Sequence, residues 1–441
     1  MLAFIFILYI SIMLFPKQIS KKILFYGGIS MDKNFMKKYG TLLLLASGAG
    51  IIFQLPYIRE TFYVPIQNAM NLSNSQMGLL SSGYSTVALF SYFIGGIVAD
   101  RFSARKLLTF SFLMTGILGL WFSTFPSYTT SRIIFVLMGI STIITYWSAC
   151  IKATRMLGSS EEQGRLFGLQ EGLRGVMNAL LVFGMTAAFS YFPNEVDGAS
   201  AAIKVCSIVV IIIGILHFIF IEDTETVQQT ESIVEITKGM FKALLIPRVW
   251  LLVSIVFTAY SAYGLIGYVT TYAQKYYGLT ATTAATLGAF RYLIQGLGGI
   301  LGGFLADKLH SRMKVIIYGC IGLATSFFLY LLIPEQASLC TMVILNFFFG
   351  LFFIYVVRSQ YFAVHEDVGI PLNMSGRVSG ITSCIGYSPD IFMYTLVGSW
   401  MDNYGKTGFN MTWIYAAIAA ILCIVTTFVL SIIVKKSKAI H

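Results

Sequence analysis

Twelve apolar segments, each long enough to cross a lipid bilayer, occupy most of the chain. They cover residues 41–69, 76–100, 106–126, 132–157, 166–192 and 200–221, and then 248–274, 281–307, 314–334, 339–364, 377–401 and 409–434. A membrane-crossing helix needs about 20 predominantly apolar residues, and its backbone polar groups must be hydrogen-bonded within the segment. The sequence therefore predicts an all-α membrane protein with twelve transmembrane helices.

The charge composition supports a membrane protein and argues against a nucleic-acid-binding protein. Only 11% of residues are charged, whereas soluble domains carry about 25%. The net charge of +11 comes from bases beside apolar segments, which favours orientation by the positive-inside rule. The six cysteines lie in or beside apolar segments without a C-x-x-C pair, so we expect packing rather than disulfides or metal. No catalytic or nucleotide-binding motif indicates an enzyme or a cofactor.

A short sequence occurs twice, at positions separated by nearly half the chain. The copies read GGIVADR at residues 95–101 and GGFLADK at residues 302–308. A repeat on this scale predicts two similar halves. Glycine lets helices approach closely, and the aspartate is placed to pair with a base or a helix N-terminus. We therefore predict a gate at these loops, formed by Gly96, Asp100, Arg101, Arg105, Gly303, Asp307 and Lys308.

The distribution of polar residues predicts the domain boundaries and the topology. We expect a first six-helix bundle at 31–221, a cytoplasmic linker at 222–247 and a second bundle at 248–441. Residues 1–30 are either an N-terminal extension or a peripheral helix, and Met31 is a candidate natural start. Basic residues concentrate in the loops on one side of the membrane, which predicts that both termini are cytoplasmic.

A second pair of similar sequences, QGR at 163–165 and SGR at 375–377, opens the fifth and eleventh segments. Two six-helix halves, a long middle loop and G-x-x-x-D-[RK] after segments two and eight resemble the major facilitator superfamily of transporters. The resemblance covers about residues 35–435. It implies two pseudo-symmetric six-helix bundles around a central cavity that opens alternately to each side. It also implies that helices 1, 4, 7 and 10 line this cavity.

Charged residues within the apolar segments are functional candidates, because a buried charge costs several kcal/mol. Bases outnumber acids among them, and buried bases favour an anionic substrate. Arginine binds carboxylate or phosphate in bidentate fashion and stays charged. The candidates are Arg59, Glu60, Lys152, Arg155, Glu171, Arg174, Arg291, Arg358 and Asp390.

Arg59 lies in YIRETF at residues 57–62, which is similar to the Y-x-x-R-x-x-F pattern of organophosphate:phosphate antiporters. That resemblance implies that Arg59 binds the substrate anion. The alternative is an ion pair with Glu60. Where those antiporters carry a second arginine before a Tyr-Gly pair, this chain has Ala262 before Tyr263.

Arg291 is a second predicted anion ligand. An arginine in the eighth helix is similar to the placement in oxalate:formate and nitrate/nitrite members of the superfamily. Its alternative role is an ion pair with Asp390. Asp390 follows Pro389 in mid-segment, where proline kinks or ends a helical turn. Asp390 either pairs with Arg291 or Arg358, or carries a coupling proton, and Glu60 is a further candidate for coupling.

The remaining charges fall near the predicted cytoplasmic ends of their segments. Lys152 and Arg155 share one helical face, and Glu171 and Arg174 have the same spacing. We expect them to form a gate network, although Lys152 is also a candidate substrate contact at the floor of the cavity. Arg358 is a candidate for either role. Tyr263 and Trp147 are the aromatic residues expected to line the cavity.

The residues and the resemblance together predict a secondary active transporter of a small organic anion: a sugar phosphate, a sulfonate or a carboxylate. A proton or a counter-transported anion is the expected partner, and we expect a monomer surrounded by lipid. The expected location is the plasma membrane or a bacterial inner membrane. Two alternatives remain open: a proton-driven exporter of apolar or cationic compounds, and a membrane sensor built on a transporter fold.

Overall fold

A computed structural model describes residues 33–159, 162–222, 238–239, 241–361, 363–368 and 372–440. The predicted extension at 1–30 and most of the predicted linker lie outside these residues, so the domain boundaries remain predictions. The described residues are helical and contain no β-strand. They form twelve long helices, as the apolar segments predict.

The first six helices are α1 (Lys33–Ile51 and Arg59–Met70), α2 (Asn74–Arg101), α3 (Ala104–Phe122), α4 (Tyr128–Arg155), α5 (Gln163–Ser190) and α6 (Glu195–Phe220). The last six are α7 (Pro247–Ile266 and Tyr268–Tyr277), α8 (Ala281–Leu309), α9 (Arg312–Leu332), α10 (Cys340–Gln360), α11 (Leu372–Gly386 and Pro389–Tyr404) and α12 (Lys406–Ile440). In the described residues, eight of these helices, α4–α10 and α12, are long and apolar enough by themselves to cross a membrane.

Several helices begin where a serine or threonine side chain accepts a hydrogen bond from the backbone. Ser73 does this at the start of α2 and forms a complete capping box with Gln76. Ser103, Ser127, Thr280 and Ser311 cap α3, α4, α8 and α9 in the same manner. These caps satisfy amide groups that have no partner within the helix, so the short loops are specified locally.

The helices pack as two bundles of six. In the first bundle α6 packs on α3 and α5, and α1 packs on α5; in the second, α12 packs on α7 and α9, and α10 packs on α8 and α9. Between the bundles, α2 packs on α11 and α5 packs on α8. The predicted fold class, two pseudo-symmetric six-helix bundles, is confirmed.

Three helices are interrupted near their middles, beside the space between the bundles. Residues 52–58 form turns between the two parts of α1, Gly267 divides α7, and α11 is divided just before Pro389. The predicted effect of Pro389 is therefore confirmed, because it starts the second part of α11. Within α4, Ile140–Trp147 is a π-helix, a form that often occurs at functional sites.

The two ends of the molecule differ in how the bundles meet. We call the end with the GGIVADR and GGFLADK repeats the motif end, and the opposite end the clasp end. At the clasp end, the Asp402 carboxylate of α11 accepts hydrogen bonds from the first turn of α2. Its oxygens lie 2.8 and 2.7 Å from the backbone nitrogens of Asn74 and Ser75. They also lie 2.7 Å from Asn74 Nδ2 and 2.6 Å from Ser75 Oγ. We call this group of three residues the clasp.

Glycines let α2 and α11 touch through their backbones below the clasp. A Cβ atom placed on Gly78 would lie 2.4 Å from the Tyr394 carbonyl oxygen, and one on Gly398 would lie 2.3 Å from that of Asn74. Both distances are far shorter than van der Waals contact. The close approach of the bundles at this end therefore requires glycine at both positions.

Gly78→Ala is expected to destabilise this arrangement, because a single methyl group meets backbone that cannot move aside alone. Overpacking of this kind costs about 1–3 kcal/mol, so we expect a lower melting temperature in detergent. Gly83→Ala on the same helix is the matched control, since its Cβ would have its nearest neighbour at 3.6 Å. Equal melting temperatures for the two variants would contradict the proposed backbone contact.

Candidate functional site

A cavity of about 200 Å³ lies between the bundles, near the interruptions in α1 and α11. As the resemblance implies, helices α1, α4, α7 and α10 contribute to its wall, and α2, α5, α8 and α11 complete it. The predicted residues Trp147 and Tyr263 both line it, and their contact with a substrate stays a prediction. The polar residues of the wall are Gln54, Tyr57, Glu60, Tyr84, Ser85, Arg174, Asn178, Tyr260, Tyr263, Tyr292, Gln295, Arg358, Tyr387 and Asp390.

Two arginines share one aromatic ring at the cavity. The Arg358 guanidinium carbon lies 3.9 Å from the centre of the Tyr263 ring, and that of Arg291 lies 4.9 Å from it. Arg291 also donates from Nε to the Tyr355 hydroxyl, at 3.1 Å. Such cation–π contacts stabilise a guanidinium out of water without neutralising it. The arrangement therefore brings two positive charges to one side of the cavity.

Arg291 forms an ion pair with Glu60, which links α8 of the second bundle to α1 of the first. The side chains are only 4% and 10% exposed. The predicted pairing of Arg291 with Asp390 is therefore wrong for this structure. The alternative pair of Arg59 with Glu60 is likewise not formed among the described residues. Glu60 lines the cavity and approaches Arg291 from there, so it lies at the end of the cavity nearest the clasp.

Asp390 is buried in α11 and accepts hydrogen bonds from two phenols. Its Oδ2 atom lies 2.8 Å from the Tyr260 hydroxyl and 3.3 Å from the Tyr57 hydroxyl, which belongs to the other bundle. Within the described part of the chain, Asp390 makes no ion pair with Arg291 or Arg358, and the prediction of such a pair is wrong here. Its role in proton coupling stays a prediction.

Arg59 lies closer to the clasp end than the cavity and is 6% exposed. Its Nη1 atom donates to the Tyr268 hydroxyl at 3.0 Å, and its guanidinium carbon lies 3.6 Å from the centre of the Tyr394 ring. Tyr268 belongs to α7 and Tyr394 to α11, so Arg59 of the first bundle contacts two helices of the second. Its role as an anion ligand stays a prediction.

Arg174 lines the cavity from α5, and its Nη1 atom lies 3.1 Å from Glu171 Oε1. Lys152 lies nearer the motif end and donates to the Ala99 carbonyl oxygen at 2.8 Å. A cation at that place interacts favourably with the C-terminal carbonyl groups of α2. Arg155, one turn beyond, is exposed. These positions support the gate role for Lys152 and Arg155, which stays a prediction.

The repeated motifs take equivalent positions in the two bundles. A Cβ atom on Gly95 would lie 3.2 Å from a carbonyl oxygen of α4, and one on Gly302 would lie 2.3 Å from Ser359 Oγ of α10. In each bundle the motif thus brings its helix against the second helix that follows it in the chain, α2 on α4 and α8 on α10. Arg101, Asp307 and Lys308 are exposed; Arg105 lies 5.5 Å from the Phe218 ring, and space is open beside Gly303. The surroundings of Gly96 and the side chain of Asp100 lie outside the described set.

The sequence analysis missed a hydrogen-bonded group that joins the bundles at the cavity. Gln54 Nε2 lies 2.8 Å from Asn178 Oδ1 and 2.8 Å from the Tyr292 hydroxyl. These residues come from α1, α5 and α8, and all three line the cavity. A glutamine within an apolar segment is itself a signal of such a group, because buried amides need partners.

Comparison with known proteins fits this geometry. The family model of the Major Facilitator Superfamily matches residues 39–392. The chain belongs to the Major Facilitator Superfamily. It is 30% identical to the inner membrane protein YqcE of Escherichia coli (strain K12), over 91% of this chain and 96% of that protein. It is 25% identical to the hexuronate transporter of Bacillus subtilis (strain 168), over 84% and 90%.

Among solved structures, a bacterial homologue of the human lysosomal transporter Spinster, in an inward-facing and unoccupied conformation, superposes with a TM-score of 0.71. It is 15% identical, and the match covers 91% of this chain and 98% of that protein. This similarity supports the fold. Transport of a small molecule across a membrane is the activity of the superfamily, so the chain is a transporter of this class.

Proposed function

We propose that this transporter moves a small organic anion by alternating access, as a secondary active transporter without enzymatic activity. The observation that carries the proposal is Arg358. It lines the cavity against Tyr263, and among the described residues no carboxylate lies within ion-pair distance of it. Arg358 is partly buried, and a guanidinium held partly out of water without a counter-charge is costly. A carboxylate, phosphate or sulfonate offsets that cost by bidentate binding.

Other polar groups of the cavity wall suit the uncharged part of such a substrate. They include the hydroxyls of Tyr57, Tyr260 and Tyr292 and the amide of Gln54, and such groups form hydrogen bonds with sugar hydroxyls. The relative named as a hexuronate transporter supports an anion of this kind. Sugar phosphates, sulfonates and sugar carboxylates therefore remain the proposed substrates.

The contacts between the bundles support an inward-facing state. In the described part of the chain, hydrogen bonds and ion pairs between the bundles run from the cavity to the clasp, for example Ser82 with Thr395 at 2.8 Å. The loop bases support a cytoplasmic location for the motif end and for both termini. The relatives named as inner membrane proteins support a bacterial inner membrane. In this orientation the cavity is closed to the outside by the clasp.

A thermal-shift panel tests the proposal. Sugar phosphates, sulfonates, carboxylates and cationic compounds are added to purified protein, because a ligand that binds only the folded state raises its melting temperature. We expect stabilisation by an anion, and about 10- to 100-fold weaker binding in Arg358→Gln, since charge-assisted hydrogen bonds contribute about 1.5–3 kcal/mol. Arg132→Gln, at an exposed position of α4, is the control. Stabilisation by cationic compounds alone would overturn the proposal and favour an exporter.

A further inference from the structure

The Glu60–Arg291 pair lies beside the cavity, which Glu60 lines, and it joins the two bundles. Glu60 belongs to α1 and Arg291 to α8, and the pair is buried. Gly267 of α7 lies beside this ion pair. A Cβ atom on Gly267 would be in van der Waals contact with both residues, 3.8 Å from Arg291 Nη1 and 4.0 Å from Glu60 Cγ. Opening of the clasp end moves the bundles apart, so it must separate these two charges.

Without Glu60, closure at the clasp end would bury Arg291 uncompensated. Arg358 shares the Tyr263 ring with it, so a second positive charge adds to the repulsion. The other acids of the site are already engaged elsewhere: Asp390 accepts from two phenols and Glu171 pairs with Arg174. Burying an unpaired charge lowers the population of the conformation that buries it, here the closed one, by about 100-fold or more.

An anion bound by the two arginines would supply the same compensation. Arg291 Nη2 is buried and has no hydrogen-bond partner within the described residues, so donor capacity is left for a ligand. Glu60 lines the cavity and can turn towards it when an anion takes its place on Arg291. Two groups can therefore occupy the same position beside Arg291: the Glu60 carboxylate or a substrate anion.

We infer that Glu60 is a resident substitute for the substrate, and that it lets the empty transporter close at the clasp end. This inference rests on the proposed transport of an organic anion. The transporter then returns empty as readily as loaded, so it carries out net transport in addition to exchange. Removal of the Glu60 charge limits outward transport to exchange, because after release outside only the loaded form can close at the clasp end.

The first test needs no substrate. Spin labels on cysteines at Asn68 and Asn403, exposed residues of the two bundles at the clasp end, report the distance between the bundles. For the empty wild type we expect a mainly closed distribution, and in Glu60→Gln an open population increased by about 10-fold or more. Glu335→Gln is the control, because Glu335 pairs with Lys406 of the same bundle. An unchanged distribution in Glu60→Gln overturns the inference.

The second test separates net transport from exchange in proteoliposomes, with labelled D-glucuronate and D-glucose 6-phosphate as probes. In right-side-out vesicles preloaded with a labelled probe, wild type is expected to release the label whether or not unlabelled probe is present outside. Glu60→Gln is expected to keep exchange within about threefold and to lose net efflux into probe-free medium by about 10-fold or more. An equal loss of both fluxes overturns the inference. If wild type transports neither probe nor any other anion, the proposed function fails, and the distance measurement still decides the role of Glu60 in closure.

Discussion

Arg291→Ala is expected to abolish transport and to destabilise the protein by about 3–5 kcal/mol, the usual cost of removing one partner of a buried ion pair. The substitution leaves the Glu60 carboxylate in a site where it is 10% exposed. It also removes the donor to the Tyr355 hydroxyl. Thermal unfolding in detergent measures the stability, and uptake into proteoliposomes measures transport.

A double variant separates these two effects. In Glu60→Gln/Arg291→Gln both charges are absent, so stability is expected to recover to within about 1 kcal/mol of wild type, whereas transport remains lost. Arg312→Ala is the matched control, because Arg312 pairs with Asp367 where both side chains are 32% exposed, and such pairs contribute about 0–1 kcal/mol. Transport by the double variant at the wild-type rate would exclude Arg291 from the transport mechanism.

The helices were predictable because the membrane leaves few choices. A segment of about 20 apolar residues can satisfy its backbone in a bilayer only as a helix, so the positions of α1–α12 follow from the sequence. An interruption was predicted at Pro389, whose ring cannot continue the turn. Pro56 lies within the turns at residues 52–58 and carries the same signal, although no interruption was predicted there. The π-helix Ile140–Trp147 carries no comparable signal, because its side chains suit an unbroken α-helix equally well.

The charged residues of the site were predictable one by one, but their partners were not. The cost of burial identified Glu60, Arg291 and Asp390 as functional candidates. Their pairing depends on which faces of α1, α8 and α11 meet, and those helices are far apart in the sequence. Asp390 meets the phenols of Tyr57 and Tyr260 instead of a cation, and tyrosines in apolar segments give no indication of such a role.

Asp402→Ala is expected to shift the transporter strongly towards opening at the clasp end. The substitution removes four hydrogen bonds between α11 and α2, from the amides of Asn74 and Ser75 and from their side chains. The carboxylate also faces the N-terminus of α2, whose free amides and dipole favour a negative charge. Because the Asp402 carboxylate is exposed, we take its four hydrogen bonds to stabilise the closed form by about 2 kcal/mol in total. This free energy corresponds to about a 30-fold change in the ratio of open to closed transporter.

Disulfide formation between cysteines at Ser82 and Thr395 measures this shift, because their hydroxyl oxygens lie 2.8 Å apart just below the clasp. We expect cross-linking to slow by up to about 30-fold in Asp402→Ala, and by less in Asp402→Asn, which keeps one acceptor oxygen. Asn403→Ala is the control, since its side chain donates only to Ser399 of its own helix among the hydrogen bonds of the described residues. Cross-linking at the same rate in all three variants would mean that backbone contact at Gly78 and Gly398, and not the clasp, holds this end closed.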